Sequence, residues 1–316
     1  MTARPILERR AAVRRALREL FDARGFVEVD TPVLSREVLP EAHIDPIVVP
    51  LDDDAVPRFL QASPEACMKR LLAAGAGPIY QFAHAFRAGE RGSQHDVEFT
   101  LLEWYEPEGT LDSAEPMLEA ICHRTLGTHG IDRVTCRDAF DTHAGVDALV
   151  ATGEEMEDAV RRAGLQVPEG SSALAAADRR DRAFELVLAE LVQPRLGRGR
   201  PVMLIDWPAS QAAFARLDPA APGVARRFEL FVEGVELANG WEEEPDRGVL
   251  AARIAEANRV RAAAGRRVLP VPERLLAAHG EAMPRGFGAA LGFDRLVMLA
   301  ADAAAIAAVR PFTGEA

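Results

Sequence analysis

The sequence predicts an α+β fold built on a mixed, mostly antiparallel sheet flanked by helices. Strand-like and helix-like segments do not alternate regularly along the 316 residues, as they do in a parallel α/β fold. Two strand-like runs, 79–87 and 98–105, are separated by a polar, glycine-containing stretch, which predicts an antiparallel hairpin with a long loop. Runs 227–232 and 235–237 are joined through Glu233-Gly234 and predict a second pair of strands.

The first elements are an amphipathic helix and a short strand. Apolar residues at helical spacing over residues 5–24 predict the helix, and Gly25 supplies the usual stop. Residues 26–29 predict the strand, which ends before a proline because proline gives no N–H to a ladder. A second helix is expected to begin at Ser63-Pro64-Glu65, where a capping serine, a proline in the first turn and an acid coincide.

The rest of the chain predicts mainly helices, including a helical insertion at about 107–200, and one further strand over residues 202–206. The last helix is expected to begin at Gly292, after a glycine-rich stretch at 285–290, with Arg295 in its first turn. The other helices predicted from apolar spacing lie near residues 111–126, 154–163, 181–192, 246–264 and 272–279.

Charge and composition limit the classes of partner. The chain carries 37 basic and 49 acidic residues, a net charge of −12, which repels nucleic-acid phosphates. All the basic residues are arginine except Lys69, and this abundance of arginine is typical of a biased base composition. Three scattered cysteines and the lack of a long apolar stretch predict a cytoplasmic protein without disulfides, zinc or a membrane segment.

The second strand of the predicted hairpin carries an unusual face. Residues alternate between the two faces of a strand, so Phe99, Leu101, Glu103 and Tyr105 share one of them. A carboxylate beside an aromatic ring and a phenol does not suit a hydrophobic core. We therefore expect this face of the strand to form the wall of a pocket.

Two arginines and two glutamates are candidates for phosphate and metal chemistry. Arg87 at a strand end and Arg295 in a first helical turn each offer a planar fork of donors for phosphate oxygens. Glu236 and Glu243 flank a glycine-broken strand end, a pattern typical of carboxylates that hold Mg²⁺ beside a nucleotide. The alternatives are solvated surface arginines and an exposed acidic turn.

Three segments in chain order resemble the signature motifs of class II aminoacyl-tRNA synthetases. Residues 26–34 resemble the first motif, 86–105 the second and 288–298 the third. Residues 63–72 and 234–240 resemble the lysyl type of that class. The resemblance covers nearly the whole chain and implies the α+β catalytic fold of the class.

Within the lysyl type, the sequence resembles the stand-alone paralogues of lysyl-tRNA synthetase. An anticodon-binding OB-fold precedes the first motif in the synthetases, and none is expected here because few residues stand ahead of that motif. The resemblance implies one catalytic domain over residues 1–316, with motifs at about 8–34, 79–105 and 285–302. It further implies ATP-dependent activation of (R)-β-lysine as an acyl-adenylate and its transfer to a lysine ε-amino group of elongation factor P.

The resemblance assigns candidate ligands to ATP, to the amino acid and to Mg²⁺. Arg87 and Arg295 are the expected catalytic residues and bind the ATP phosphates, Phe99 stacks on adenine, and Glu236 binds Mg²⁺ and ATP. Glu243 stays a second Mg²⁺ candidate from the local pattern. The remaining ATP candidates, all from the second and third motifs or the stretch before the third, are Ala88, Gly89, Glu90, His95, Asp96, Glu236, Leu237 and Gly292. The candidates for the amino-acid substrate are Ser63, Pro64, Glu65, Tyr105, Asn239, Glu243 and Ala290.

The chemistry of a diamino acid agrees with these candidates. Its two ammonium groups need anions, which Glu65 and Glu243 supply, while Tyr105 gives a directional partner. The sequence departs from the pattern at Ala88-Gly89 and at Asp96-Val97, where the family commonly has Asn-Glu and Asn-Pro. An aspartate near ATP is expected either to repel the nucleotide or to take up a proton or a cation.

The resemblance also implies partners. A homodimer through residues 8–34 is expected, with elongation factor P as the acceptor, and neither tRNA nor a membrane is expected to bind. Two alternatives remain at this point. One is a lysine-type amino-acid-activating ligase with a different acceptor, and the other is a catalytically silent paralogue that acts as a binding subunit.

Overall fold

The computed structural model describes residues 4–51, 57–171, 174–280 and 282–313. The chain divides into two compact units, residues 1–127 with 243–316 and residues 128–242, which are called the first and second units below. The expectation of one catalytic domain stays a prediction. No helix in the described ranges is both long enough and apolar enough to cross a membrane.

The helices lie close to their predicted positions, with two differences. The helix at Cys136–Ala144 has no counterpart in the sequence prediction, and the one expected near 181–192 begins at Ala176 and ends in a π turn, Leu188–Val192. In chain order the helices are α1 Arg4–Asp22, α2 Glu65–Ala73, α3 Leu111–Leu126, α4 Cys136–Ala144, α5 Gly153–Arg162, α6 Ala176–Val187, α7 Arg247–Ala263, α8 Glu273–Ala278 and α9 Phe293–Ala300.

The strands include the predicted pairs and several short additions. The glycine-rich stretch expected to lead into the last helix is itself a strand, since residues 286–292 each pair with a residue of the segment 101–107. In chain order the strands are β1 Val27–Glu28, β2 Leu34–Ser35, β3 Val48–Val49, β4 Arg58–Leu60, β5 Ile79–Phe86, β6 Glu98–Pro107, β7 Asp132–Thr135, β8 Val202–Ile205, β9 Trp207–Pro208, β10 Leu217–Asp218, β11 Ala221–Ala225, β12 Arg227–Val232, β13 Val235–Glu242 and β14 Gly286–Gly292.

In the first unit, β1, β5, β6 and β14 are neighbours in that order. β1 is parallel to β5, whereas β5 with β6 and β6 with β14 are antiparallel, which confirms the predicted hairpin. The register sets Glu103 opposite Gln81 on β5 and Ala290 on β14, and sets Tyr105 opposite Gly288. Residues directly opposite each other share a face, so these five residues line one side of the sheet.

The other side of β5 and β6 is a hydrophobic core. Trp104 and Tyr80 are fully buried and pack against Phe21 of α1, whose ring centroid lies 4.7 Å from Tyr80 and 5.5 Å from Trp104. Burying each such side chain is worth about 1.5–3 kcal/mol. This packing anchors β6 and therefore fixes the side chains on its opposite face.

The second unit has its own mixed sheet and core. β7 is parallel to β8, while β8 with β12 and β12 with β13 are antiparallel. Phe140 and Phe184 stack with ring centroids 4.6 Å apart, and Phe184 also contacts Trp207. These rings form the centre of a core that helices α4, α5 and α6 cover.

A bulge in β13 changes which of its residues share a face. Leu230 of β12 pairs with Ala238 and Phe231 pairs with Glu236, so β13 carries one extra residue, Leu237. An extra residue reverses the alternation of a strand. Glu236 and Asn239, three residues apart, therefore lie on the same face.

Candidate active site

A buried carboxylate on β6 accepts hydrogen bonds from two hydroxyl groups. Ser63, just before α2, donates to Glu103 Oε2 at 2.7 Å, and Tyr105 donates to Glu103 Oε1 at 2.7 Å. Both Glu103 and Tyr105 are nearly inaccessible to solvent. One donor on each oxygen orients the carboxylate on the wall of the pocket that the strand alternation predicts.

The first turn of α2 places a second carboxylate beside an ammonium group. The helix begins at Glu65, so Pro64 is its N-cap and not its first residue, one residue later than predicted. The Ser63 hydroxyl still accepts a hydrogen bond from the backbone N–H of Glu65 at 3.0 Å. Glu65 and Lys69 are one helical turn apart and lie on the same face of the helix. The Lys69 Nζ atom lies 2.6 Å from Glu65 Oε1.

Lys69 also contacts a third carboxylate. Its Nζ atom lies 2.7 Å from Glu243 Oε2. The backbone N–H of Glu243 donates to the carbonyl oxygen of Gly286 at 2.8 Å, which ties Glu243 to the start of β14. Lys69 is 1% exposed and Glu243 3% exposed, so one ammonium holds two carboxylates away from water.

Burial and charge shift the pKa values of these groups in different directions. Burial lowers the pKa of the Lys69 ammonium, but Glu243 and Glu65 outweigh that effect, and the net pKa is raised. Burial and the neighbouring Glu65 raise the pKa of Glu103 to about 8, although its two hydroxyl donors act in the opposite sense. At pH 7 Lys69 is therefore charged, whereas Glu103 is mostly protonated and neutral.

Gly288 of β14 leaves the space that two of these side chains occupy. A Cβ atom at this position would lie 2.4 Å from Tyr105 Cε1 and 2.6 Å from Glu243 Oε1. Both distances are well inside van der Waals contact. The backbone of β14 approaches the pocket this closely because the residue has no side chain.

The candidates for the adenine and phosphate groups gather at the end of β5. The guanidinium of Arg87 lies over the ring of Phe99 at 5.0 Å and its Nη1 is 3.5 Å from Glu90 Oε1. Ala88 and Gly89 lie exposed beside them. The structure therefore brings together Arg87, Glu90 and Phe99, three of the sequence-predicted ATP candidates of the second motif.

The second phosphate candidate, Arg295, lies in the first turn of α9, the helix that begins directly after Gly292. Its Nη2 atom is 2.7 Å from His95 Nε2, and its Nε donates to the carbonyl oxygen of Gln94 at 3.2 Å. A guanidinium can only donate, so His95 accepts through an unprotonated Nε2 in this contact. Arg295 and His95, both predicted for ATP, are thus direct neighbours.

Asp96, which sequence analysis expects to repel ATP or take up a cation, has a cation of its own. Its carboxylate lies 2.9 Å from Arg310, near the C-terminus. Arg310 is also 3.5 Å from Asp294, which in turn pairs with Arg10 of α1 at 2.6 Å. Arg310 therefore offsets the negative charge of Asp96.

Three further candidates, Glu236, Leu237 and Asn239, lie on β13 in the second unit. Leu237 is buried, and Glu236 and Asn239 are half-buried on the face that they share. Of the amino-acid candidates, the first unit holds Ser63, Pro64, Glu65, Tyr105, Glu243 and Ala290.

The described residues do not make a magnesium centre by themselves. Mg²⁺ takes six oxygen ligands in near-octahedral geometry. In the four described ranges no group of three or more His, Cys, Asp or Glu side chains could hold a metal ion, and Glu243 faces the Lys69 ammonium. The assignment of Glu236 and Glu243 to Mg²⁺ stays a prediction.

Sequence analysis missed Lys69 and recognised Glu103 only as part of a pocket wall. A signal for Lys69 was present, because the single lysine of the chain stands four residues after Glu65 at a predicted helix start. Its contact with Glu243 joins residues far apart in the chain, which no local pattern reports.

Gly288→Ala is expected to lower the free energy of unfolding by about 1–3 kcal/mol, because the added methyl group displaces Tyr105 or Glu243. Urea denaturation followed by fluorescence measures this change. Gly223→Ala is the matched control, since nothing lies within 4 Å of its Cβ position and it is expected to be neutral or slightly stabilising. Equal losses in both variants would contradict the close approach at Gly288.

The comparisons with known proteins agree with this arrangement. The family described as tRNA synthetases class II (D, K and N) matches residues 2–316. Proteins named elongation factor P–(R)-beta-lysine ligase are similar along nearly their whole length. The one from Edwardsiella ictaluri is 37% identical over 97% of this chain and 94% of its own, and those from Salmonella gallinarum and Enterobacter sp. are 36% identical over 98% and 95%.

The family explains the fold, since the sheets of both units are mostly antiparallel and flanked by helices, as the sequence predicts. The chain belongs to the class II tRNA synthetases of the D, K and N type and, within them, to the family of elongation factor P–(R)-β-lysine ligases.

Proposed function

We propose that this chain activates (R)-β-lysine with ATP and transfers it to a lysine ε-amino group of elongation factor P. The names of the relatives supply the identity of the amino acid and of the acceptor. One observation in the structure carries the proposal: the pocket buries three carboxylates, Glu65, Glu103 and Glu243, beside one ammonium, Lys69. This excess of acidic groups suits a substrate with two ammonium groups.

The amino-acid site in this proposal centres on Glu103. An ammonium group placed against Glu103 favours its ionised form, and the hydroxyls of Ser63 and Tyr105 keep the carboxylate oriented. Glu65 adds negative charge nearby. Ala290 lies opposite Glu103 on β14 and is expected to limit the room beside it, which helps to separate α-lysine from β-lysine.

ATP is proposed to bind with its adenine against Phe99 and its phosphates on Arg87 and Arg295. Guanidinium groups fit phosphate oxygens and stabilise the charge that develops during in-line attack. In the first step a carboxylate oxygen of the amino acid attacks the α-phosphorus, and pyrophosphate leaves. In the second step the acceptor amine attacks the acyl carbon, AMP leaves with the electron pair of the broken C–O bond, and the amine loses a proton.

Further parts of the proposal rest on the sequence and on the relatives. Magnesium is expected to accompany the nucleotide, with Glu236 and Glu243 as its candidate ligands by sequence alone. A homodimer through residues 8–34, a cytoplasmic location and the lack of activity on tRNA also stay predictions. The net charge of −12 supports the last of these.

Pyrophosphate exchange with the purified protein is expected to be faster with (R)-β-lysine than with (S)-β-lysine or L-α-lysine. The activated amino acid is then expected on elongation factor P and not on lysine tRNA, as measured by mass spectrometry and by acid precipitation. Arg87→Met is the control that should lose exchange with every amino acid.

Two results would contradict this function. Transfer to another acceptor, or a clear preference for another amino acid, would favour a lysine-type ligase of different specificity. The absence of exchange with every diamino acid would favour a binding subunit without catalysis.

The kcat/KM for the amino acid is expected to fall as the pH drops below about 8, approaching about tenfold per pH unit at lower pH, because Glu103 is protonated below its pKa of about 8 and an ammonium prefers the carboxylate. Pyrophosphate exchange at saturating ATP between pH 6 and 8.5 measures this decrease in kcat/KM, the acidic limb of the pH profile. Glu103→Gln should flatten it, whereas Glu106→Gln, which alters a carboxyl on the other face of β6, should keep it. A limb that persists in Glu103→Gln would contradict the assignment.

A further inference from the structure

Lys69 is the one lysine among the 37 basic residues of the chain. It lies in a buried site where the shape of the charged group matters. Its Nζ atom contacts Glu65 at 2.6 Å and Glu243 at 2.7 Å inside the protein. An ammonium is a compact point charge, whereas a guanidinium is a planar fork of donors. All the other basic residues of the chain are arginine, whereas this site between two carboxylates holds a lysine.

We propose that Lys69 is a positioning residue of the amino-acid pocket, whose ammonium fills the place between Glu65 and Glu243 and holds both carboxylates there, beside the substrate. The inference rests on the proposed function, in which these carboxylates surround a diamino acid. Glu65 Oε1 and Glu243 Oε2 both contact the same Nζ atom, so the distance between these two oxygens cannot exceed the sum of their distances to Nζ. The ammonium therefore keeps the two carboxylates close together.

The consequence concerns the two carboxylates beside the substrate. Glu65 belongs to α2, and Glu243 is tied to β14 through Gly286, so Lys69 links the helix to that strand. Glu103, by contrast, accepts hydrogen bonds from the hydroxyl groups of Ser63 and Tyr105. Without Lys69, the like charges of Glu65 and Glu243 would repel each other and neither carboxylate would be held in place.

Lys69→Ala tests the inference because it removes the cation and leaves room for a small amine. At saturating ATP, kcat/KM for the amino acid is expected to fall at least about 30-fold, while KM for ATP changes by less than about twofold. Propylammonium chloride, whose three carbons and nitrogen match the atoms removed, is expected to restore at least about tenfold of this loss. Sodium chloride at equal ionic strength should restore none.

Two variants separate positioning from a general loss of stability. Lys69→Arg keeps the charge but is expected to lose at least about tenfold in kcat/KM for the amino acid, because the fork does not fit the place of an ammonium. Arg179→Ala removes one of the two arginines that pair with Glu157, a buried carboxylate in the second unit, and should leave this kcat/KM within about twofold.

The melting temperature gives a second test, which does not depend on catalysis. The melting temperature of Lys69→Ala is expected to rise with propylammonium concentration, whereas that of Arg179→Ala is not. Activity of Lys69→Arg equal to that of the unsubstituted protein, or no response of Lys69→Ala to propylammonium, would overturn the inference, and Lys69→Arg decides if Lys69→Ala does not fold. Failure of the proposed function is a different result, because the unsubstituted protein would then show no exchange with any diamino acid.

Discussion

A single buried ammonium holds together the pocket of the first unit. Lys69 contacts Glu65 on its own helix and Glu243, which follows β13 in the chain. Removing these three charges from water costs several kcal/mol for each ion, and only close contacts of good geometry offset that cost. Without the ammonium, Glu65 and Glu243 would be two like charges in a medium of low polarity, so the shape of the pocket depends on this contact.

Burial in the same pocket raises the pKa of Glu103. Glu103 lies near the other carboxylates but accepts hydrogen bonds from hydroxyl groups, and it is mostly neutral at pH 7. A cation that reaches it would favour its ionised form. The aromatic packing of Trp104 on the opposite face of β6 keeps this carboxyl in place, so the hydrophobic core and the chemistry of the pocket are two faces of one strand.

Local sequence patterns predicted much of this arrangement. The hairpin of β5 and β6, the start of α2 and the shared face of Glu103 and Tyr105 follow from strand alternation and helix-start signals, which involve neighbouring residues only. The bulge at Leu237 could not be predicted in this way, because it is defined by pairing with β12. The contacts of Lys69 with Glu243 and of Asp96 with Arg310 also join distant parts of the chain and become visible only once the fold is known.

The central claim is that an ammonium group of the diamino acid replaces the proton of Glu103, while Lys69 holds Glu65 and Glu243 in place. Calorimetric titration of the protein with (R)-β-lysine at pH 7, in buffers of different ionisation enthalpy, counts the protons released on binding. A pKa raised to about 8 predicts that the unsubstituted protein releases most of one proton per site and that Glu103→Gln releases none. Binding without proton release by the unsubstituted protein would contradict the account.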